Sequence, residues 1–221
     1  VSFPRRVEAV VFDMDGLLLD TETVYRAAMI DAGQAFGVPV TAATYASMVG
    51  KTNPECAVML RDLYGETFPV KPFFERLWAD VELLLEAEIR LKDGVQEILD
   101  HLDHLGLPRA IATSNGLPAV ERYLGRFDLL PRFHAVVAHH DVIRHKPHPD
   151  PYLLAAQRLG VDPLACLALE DSHPGVRAAH GAGMMTIMVP DILDPTEEMH
   201  EKCVHIADSL HVVLDLLKRA G

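Results

Sequence analysis

Cysteine is scarce in this chain, with 3 among 221 residues. Cys56, Cys166 and Cys203 are odd in number, far apart and without CxxC spacing. This excludes a disulfide framework and reads as reduced, buried thiols of an intracellular protein. Basic residues are outnumbered: Lys+Arg 20 against Asp+Glu 32 leaves a formal net charge of -12. Phosphate backbones and anionic membrane surfaces are bound through clustered Lys and Arg, so neither nucleic acid nor membrane is an expected partner. A small anionic substrate stays open, because a few local cations and a metal can hold it. No stretch approaches the roughly 20 apolar residues needed to span a bilayer. Val1 to Arg6 has no apolar signal-peptide core, and Val1 in place of Met reads as a trimmed start. Internal repeats and low-complexity segments are also missing. A cytoplasmic monomer is the expectation.

What is present is an ordinary globular composition, with hydrophobic residues at 49% and charged residues at 24%. The length suits one large domain, or a core with a smaller insertion, and a sizeable buried core. Short apolar runs predict strands at Val7–Asp13, Arg109–Thr113, Ala135–His139, Cys166–Glu170 and Met185–Pro190. Amphipathic segments alternate with them. Gly94–Leu105 is expected to start after Asp93 as N-cap and to stop at Gly106. Further helices are expected at Leu117–Phe127, Pro149–Leu159, Pro174–Ala182 and Ser209–Arg219. Strand, helix, strand, helix predicts an α/β fold, a parallel sheet covered on both faces.

Thr21 to Ile89 breaks this alternation, since it carries helical patterns and no strand run. Val24, Ala27, Ala28, Ala32, Ala35 and Phe36 form one stripe; Phe74, Leu77, Trp78, Val81 and Leu85 form another. Between them, Asn53-Pro54 opens a helix that Gly65 closes. The expected organisation is a doubly wound, Rossmann-like core in residues 1–20 and 90–221, with an all-helical cap in 21–89.

Ligands of open parallel sheets bind at the carboxyl ends of the strands. Those ends carry Asp13 and Asp15, then Thr113 and Ser114, then Lys146 in the loop after the third strand, then Glu170 and Asp171. Two like charges about 4 Å apart repel by roughly 4 kcal/mol at an effective dielectric near 20. A hard cation with oxygen ligands relieves this, and Mg²⁺ binds through one or two carboxylates plus substrate phosphate. Lysine and hydroxyl groups beside it grip phosphate oxygens. One carboxylate is a competent nucleophile toward phosphorus, and a second can serve as acid and then base.

Four segments carry a family resemblance. Asp13-Met-Asp-Gly-Leu-Leu-Leu-Asp-Thr-Glu, Thr113-Ser-Asn, Lys146-Pro-His-Pro-Asp and Glu170-Asp-Ser-His-Pro-Gly, in this order, resemble the four motifs of the haloacid dehalogenase-like hydrolases. The likeness is to the phosphatases and phosphomutases whose helical cap follows the first motif. It implies Asp13 as nucleophile and metal ligand, and Asp15 as acid/base with its backbone carbonyl on the metal. It also implies Thr113, Ser114 and Lys146 as phosphate ligands, with Glu170 and Asp171 completing a Mg²⁺ site. Tyr25, Lys51 and Asn115 are the cap and rim residues expected to meet substrate. The implied activity is Mg²⁺-dependent hydrolysis of a small phosphorylated metabolite through an aspartyl-phosphate.

Competing readings leave traces in the same residues. Sugar phosphomutases of this family carry a His on the first cap helix and a Lys after the second motif; Tyr25 and Gly116 stand at those positions here. A dehalogenase lacks the second acid that Asp15 supplies. A phosphonate-cleaving enzyme needs a cap lysine, for which Lys51 is the candidate. A non-catalytic phospho-receiver domain shares the acids, hydroxyl and lysine but has no helical insertion. An EF-hand fails because Leu17 and Val24 replace required ligands. Gly50-Lys51-Thr52 lacks the glycine and strand of a nucleotide phosphate loop. His139, His140, His145 and His148 cluster without helical ligand spacing. Asp20 and Glu22 read as helix-start acids, and Asp171-Ser172 as an N-cap.

Overall fold

The computed structural model describes residues 3–49 and 51–220. The chain divides into two compact units, Val1–Leu19 with Leu91–Gly221, and Asp20–Arg90. The second unit holds helices α1 (Thr21–Ala35), α2 (Ala42–Met48), α3 (Asn53–Tyr64) and α4 (Val70–Glu88). The first holds α5 (Val95–Leu105), α6 (Leu117–Gly125), α7 (Asp150–Leu159), α8 (His173–Gly181), α9 (Glu197–Lys202) and α10 (Leu210–Ala220). Its strands are β1 (Ala9–Phe12), β2 (Arg109–Ala112), β3 (Ala135–Val137), β4 (Cys166–Glu170), β5 (Met185–Met188) and β6 (His205–Ile206). They form one parallel sheet in the order β3-β2-β1-β4-β5-β6. No helix among the described residues is long and apolar enough to cross a membrane.

The apolar runs correspond to β1 through β5. Their outer residues, Val7, Glu8, Asp13, Thr113, Ala138, His139, Val189 and Pro190, lie beyond the strands, and His139–Asp141 turns as a 3-10 helix. β6 has no apolar run of its own. It forms because the backbone N–H groups of Val204 and Ala207 donate to the carbonyls of Thr186 and Met188, both at 2.8 Å. That edge pairing is a tertiary event, invisible to local periodicity.

The two faces of the sheet differ in side-chain size, following strand alternation. Ala9, Val11, Ala110, Ala112, Cys166 and Ala168 pack in one cluster with Tyr152, Ala155 and Ala156 of α7 and Ala178 and Ala179 of α8. Small residues on sheet and helices permit close approach. The opposite face carries Val10, Phe12, Ile111, Leu167 and Leu169, all fully buried. Phe12 meets Phe133 edge-on at 5.8 Å between ring centres.

In the helical unit, α1 and α4 make the main pairing. α4 buries Val70, Phe73, Leu77, Val81 and Leu85. The expected stripe was shifted by one residue at its start: Trp78 is 43% exposed, whereas Phe73 is fully buried. Phe73 wins that place because Phe36 and Phe68 receive its ring, at 5.6 and 5.4 Å. Ala35 likewise turns outward. The segment at Thr41 gives an additional helix, α2, which begins with a Thr41–Thr44 capping box.

One cap expectation fails. Asp93 does not cap α5; Gly94 holds the N-cap position, in a left-handed conformation with φ +90° and no side-chain cap. A Cβ at Gly94 would stand 3.0 Å from both the His211 backbone N and Leu210 Cβ, so the contact with α10 claims the space. Gly94→Ala is therefore expected to destabilise by about 1–3 kcal/mol in urea unfolding. Asp93→Ala, at an exposed position, should stay within about 0.5 kcal/mol of the parent. The reverse order would restore Asp93 as the cap.

Candidate active site

The strand order decides which loops meet. β1 lies between β2 and β4, and Phe12 is level with Ile111 on one side and Leu169 on the other. Successive strands are added outward from β1 to β3, then the chain crosses back to β4. Ligands bind outside the carboxyl ends at such a switch point. The residues one step on, Asp13 and Glu170, therefore emerge beside each other. The Asp13 N–H still donates to the Leu169 carbonyl (3.0 Å), and the Thr113 N–H donates to Val137 (3.0 Å), so both leave the sheet under ladder control.

Lys146 joins them from the loop after β3. Its Nζ donates to Asp13 Oδ1 at 2.5 Å and to Glu170 Oε1 at 2.6 Å. The three side chains are 8%, 10% and 0% exposed, respectively, so the charges sit out of water. Burial pushes the Asp13 carboxyl up to about 7, and repulsion from Glu170 and Asp15 adds to this, against the attraction of Lys146. For Lys146, burial opposes the charge, but Asp13 and Glu170 outweigh it and hold the ammonium above its ordinary range.

Glu170 is held from five directions. Its Oε1 accepts from Lys146 and from the Tyr152 hydroxyl, the latter at 2.6 Å. Its Oε2 accepts from the Asp171 N–H, the Ser172 N–H and the Ser172 hydroxyl, at 3.1, 3.2 and 3.0 Å. Ser172, not Asp171, caps α8, accepting from the Gly175 N–H at 3.2 Å. A Cβ at Gly175 would fall 1.8 Å from the Glu170 carboxyl carbon, so the carboxylate occupies the place of that missing side chain. Tyr152 is fully buried, with its ring 5.2 Å below the Lys146 ammonium. Burial, then the Glu170 charge, keeps its hydroxyl protonated well above the ordinary tyrosine range.

Asp15 faces the β2 loop. Its Oδ2 accepts from Asn115 Nδ2 at 2.6 Å and, at a long 3.5 Å, from the Thr113 hydroxyl. Thr113 Oγ1 in turn accepts from the Asn115 N–H at 3.0 Å. Asp15, Thr113 and Asn115 thus form one hydrogen-bonded group, whereas Ser114 is exposed on the same loop.

Asp13, Glu170 and Asp171 offer carboxylate oxygens that all lie within 4.8 Å of one another. Hard oxygen donors in that spacing fit a divalent ion such as Mg²⁺. Gly16 makes room for the Asp171 carboxylate: a Cβ there would lie 2.3 Å from its Oδ2. The Asp15 carboxylate is outside this group, engaged by Asn115. The histidines form no such group among the described residues. His139 and His145 stack face to face at 3.9 Å, and His140 meets His139 edge-on.

Tyr25 and Lys51 belong to the other unit, where both line a cavity of about 230 Å³. Glu22, Met29, Tyr45, Met48, Phe74 and Trp78 share its wall. Glu22 is more than a helix-start acid, since it accepts a hydrogen bond from the Tyr45 hydroxyl. Tyr25 packs edge-on to Trp78 at 6.1 Å. Asp20 is the N-cap of α1, and Thr52 that of α3; Gly50 lies outside the described residues.

Sequence reasoning missed Tyr152 and Gly175. A tyrosine on the buried face of a helix needs a partner for its hydroxyl. That signal was available in the Tyr152-x-x-Ala-Ala pattern of α7, but nothing local names Glu170 as the partner.

Residues 10–189 match the family model described as haloacid dehalogenase-like hydrolase. The chain belongs to that family. It is 35% identical over 195 residues to hexitol phosphatase B of Escherichia coli, covering 86% of each chain. It is 32% identical to a phosphorylated carbohydrates phosphatase of Thermotoga maritima, over 82% of this chain and 84% of that one. A crystal structure from Thermotoga maritima, provisionally assigned as a beta-phosphoglucomutase, superposes with a TM-score of 0.81 at 30% identity, covering 96% and 99% of the two chains.

The Glu170 seat can be tested directly. Tyr152→Phe removes one charge-assisted hydrogen bond and should cost about 1.5–3 kcal/mol in urea unfolding. Gly175→Ala should displace the carboxylate and lower turnover by about 10²-fold. Full activity and stability in Gly175→Ala would show that Glu170 does not need this seat.

Proposed function

We propose that this chain is a Mg²⁺-dependent phosphatase that hydrolyses a small phosphorylated carbohydrate, a sugar or sugar alcohol phosphate, through an aspartyl-phosphate on Asp13. The observation that carries the reading is the buried Lys146 ammonium shared by Asp13 and Glu170, with Asp171 beside them. The phosphatase names of the Escherichia coli and Thermotoga maritima relatives support the substrate class. Membership of the hydrolase family sets aside the receiver-domain reading.

In this mechanism, an oxygen of Asp13 attacks phosphorus and the bond to the leaving oxygen breaks. Lys146, Thr113 and Ser114 hold the phosphoryl oxygens. Asp15 gives its proton to the leaving oxygen, then takes one from the water that cleaves the acyl-phosphate and restores Asp13. Asn115 fixes Asp15 through Oδ2 while these transfers proceed. Asp13 and Asp171, with the backbone carbonyl of Asp15, would hold the Mg²⁺; Glu170, already engaged by five donors, contributes charge and positions Lys146. The ion supplies neutralisation of the phosphoryl and carboxylate charges. Residues 21–89 are the proposed cap, with Tyr25 and Lys51 on the wall of its cavity as selectivity residues.

Phosphorus NMR of incubations with hexitol and sugar phosphates tests the reaction. Inorganic phosphate is expected to accumulate with Mg²⁺, and to stop after chelation. Asp13→Asn should release none. Rapid conversion of a sugar 1-phosphate to its 6-phosphate isomer, primed with the bisphosphate, would establish a mutase instead.

Asp15→Asn is expected to slow phosphoryl transfer from a sugar phosphate by about 10²–10⁴-fold. Transfer from an aryl phosphate should suffer less, because a good leaving group needs little protonation. Equal losses in single-turnover measurements would remove Asp15 from the acid role.

A further inference from the structure

Asp191 is a carboxylate that the mechanism above does not use. It follows β5, where the Val189 N–H donates to the Glu170 carbonyl at 2.7 Å, so this loop is tied to the same strand end as the site. Asp191 Oδ1 accepts from Lys92 Nζ at 2.8 Å. Lys92 is itself fixed, its backbone N–H donating to the Leu18 carbonyl at 3.0 Å, next to the antiparallel bridge between Leu19 and Leu91. The second oxygen, Asp191 Oδ2, is buried and has no hydrogen-bond partner. A buried carboxylate oxygen with no donor is costly unless something else meets it.

Gly16 shows what lies near that oxygen. The position that a Cβ would take there lies 3.5 Å from Asp191 Oδ2 and 2.3 Å from Asp171 Oδ2. Two carboxylate oxygens therefore flank the backbone of residue 16, and Asp171 Oδ2 fills the place a side chain there would take. One belongs to the acidic group that fits a divalent ion. The other lies outside that group, close to the same backbone position.

We propose that Asp191 is a positioning residue of the metal site: its Oδ2 accepts a hydrogen bond from the hydration shell of the Mg²⁺, while Lys92 fixes and partly neutralises Oδ1. Mg²⁺ sheds its waters reluctantly and keeps several when only one or two carboxylates bind it. Acceptors that orient such outer groups commonly contribute 10- to 100-fold in metal affinity. The idea rests on the Mg²⁺ reading given under the proposed function, and it adds an anchor outside the four motifs.

The test is Mg²⁺ titration of the metal-free chain by calorimetry, in wild type, Asp171→Ala and Asp191→Asn. Wild type is expected to bind Mg²⁺ and Asp171→Ala to lose it. Asp191→Asn, which keeps its shape and its contact with Lys92, should bind roughly 10- to 100-fold more weakly. Its turnover should return to within about threefold of wild type at saturating Mg²⁺, a rescue that a merely structural role would not show. Unchanged Mg²⁺ affinity in Asp191→Asn, with or without a lowered Tm, overturns the inference alone. No Mg²⁺ binding by wild type overturns the metal reading and this inference with it.

Discussion

The Lys146 ammonium, shared between Asp13 and Glu170 below the surface, is the interaction on which the rest of the site depends. Taking charges out of water is costly, and mutual attraction offsets this only when every lone pair and proton has a partner. The surroundings of Glu170 answer that demand. Tyr152 reaches it through the small-residue face of the sheet, Ser172 supplies a hydroxyl and an N–H, and Gly175 leaves the volume empty. The packing of α7 against alanines is thus part of the electrostatics, because a larger sheet residue would push the tyrosine away.

The balance is deliberately incomplete on one side. Glu170 is saturated with donors, whereas Asp13 has Lys146 and a carboxyl driven up to about 7. The two carboxylates therefore meet opposite surroundings, one ringed by donors and the other held up mainly by burial. Glu170, the last residue of β4, and Asp13, one step beyond β1, emerge at the carboxyl ends of neighbouring strands.

The helical unit solves a different problem. Its core is aromatic at one end, where Phe36, Phe68 and Phe73 interlock, and its cavity is lined by Tyr25, Tyr45, Phe74 and Trp78. Rings that do not enter the core are available to line a pocket. Phe74 and Trp78 were expected in the core stripe, and their displacement by Phe73 put them on the cavity wall. A shift of one residue along a helix turns a side chain by about 100°, which is enough to exchange the two roles.

Local pattern alone determined that the chain alternates strand and helix, that one helical segment interrupts it, that Asp13, Asp15, Thr113, Glu170 and Asp171 stand at strand ends, and that Lys146 stands in the loop after the third strand. Apolar runs and glycine stops act within a few residues, so they are readable in order along the chain. Whether a strand end meets another is a matter of sheet order and register, and these placed Glu170 beside Asp13. The two-residue β6, the Gly94 helix start, the Tyr152 hydroxyl on Glu170 and the unpartnered oxygen of Asp191 arise from contacts between residues far apart in sequence. Only the folded chain decides such contacts, because the space and the partner at each position are supplied by segments that share no local pattern with it.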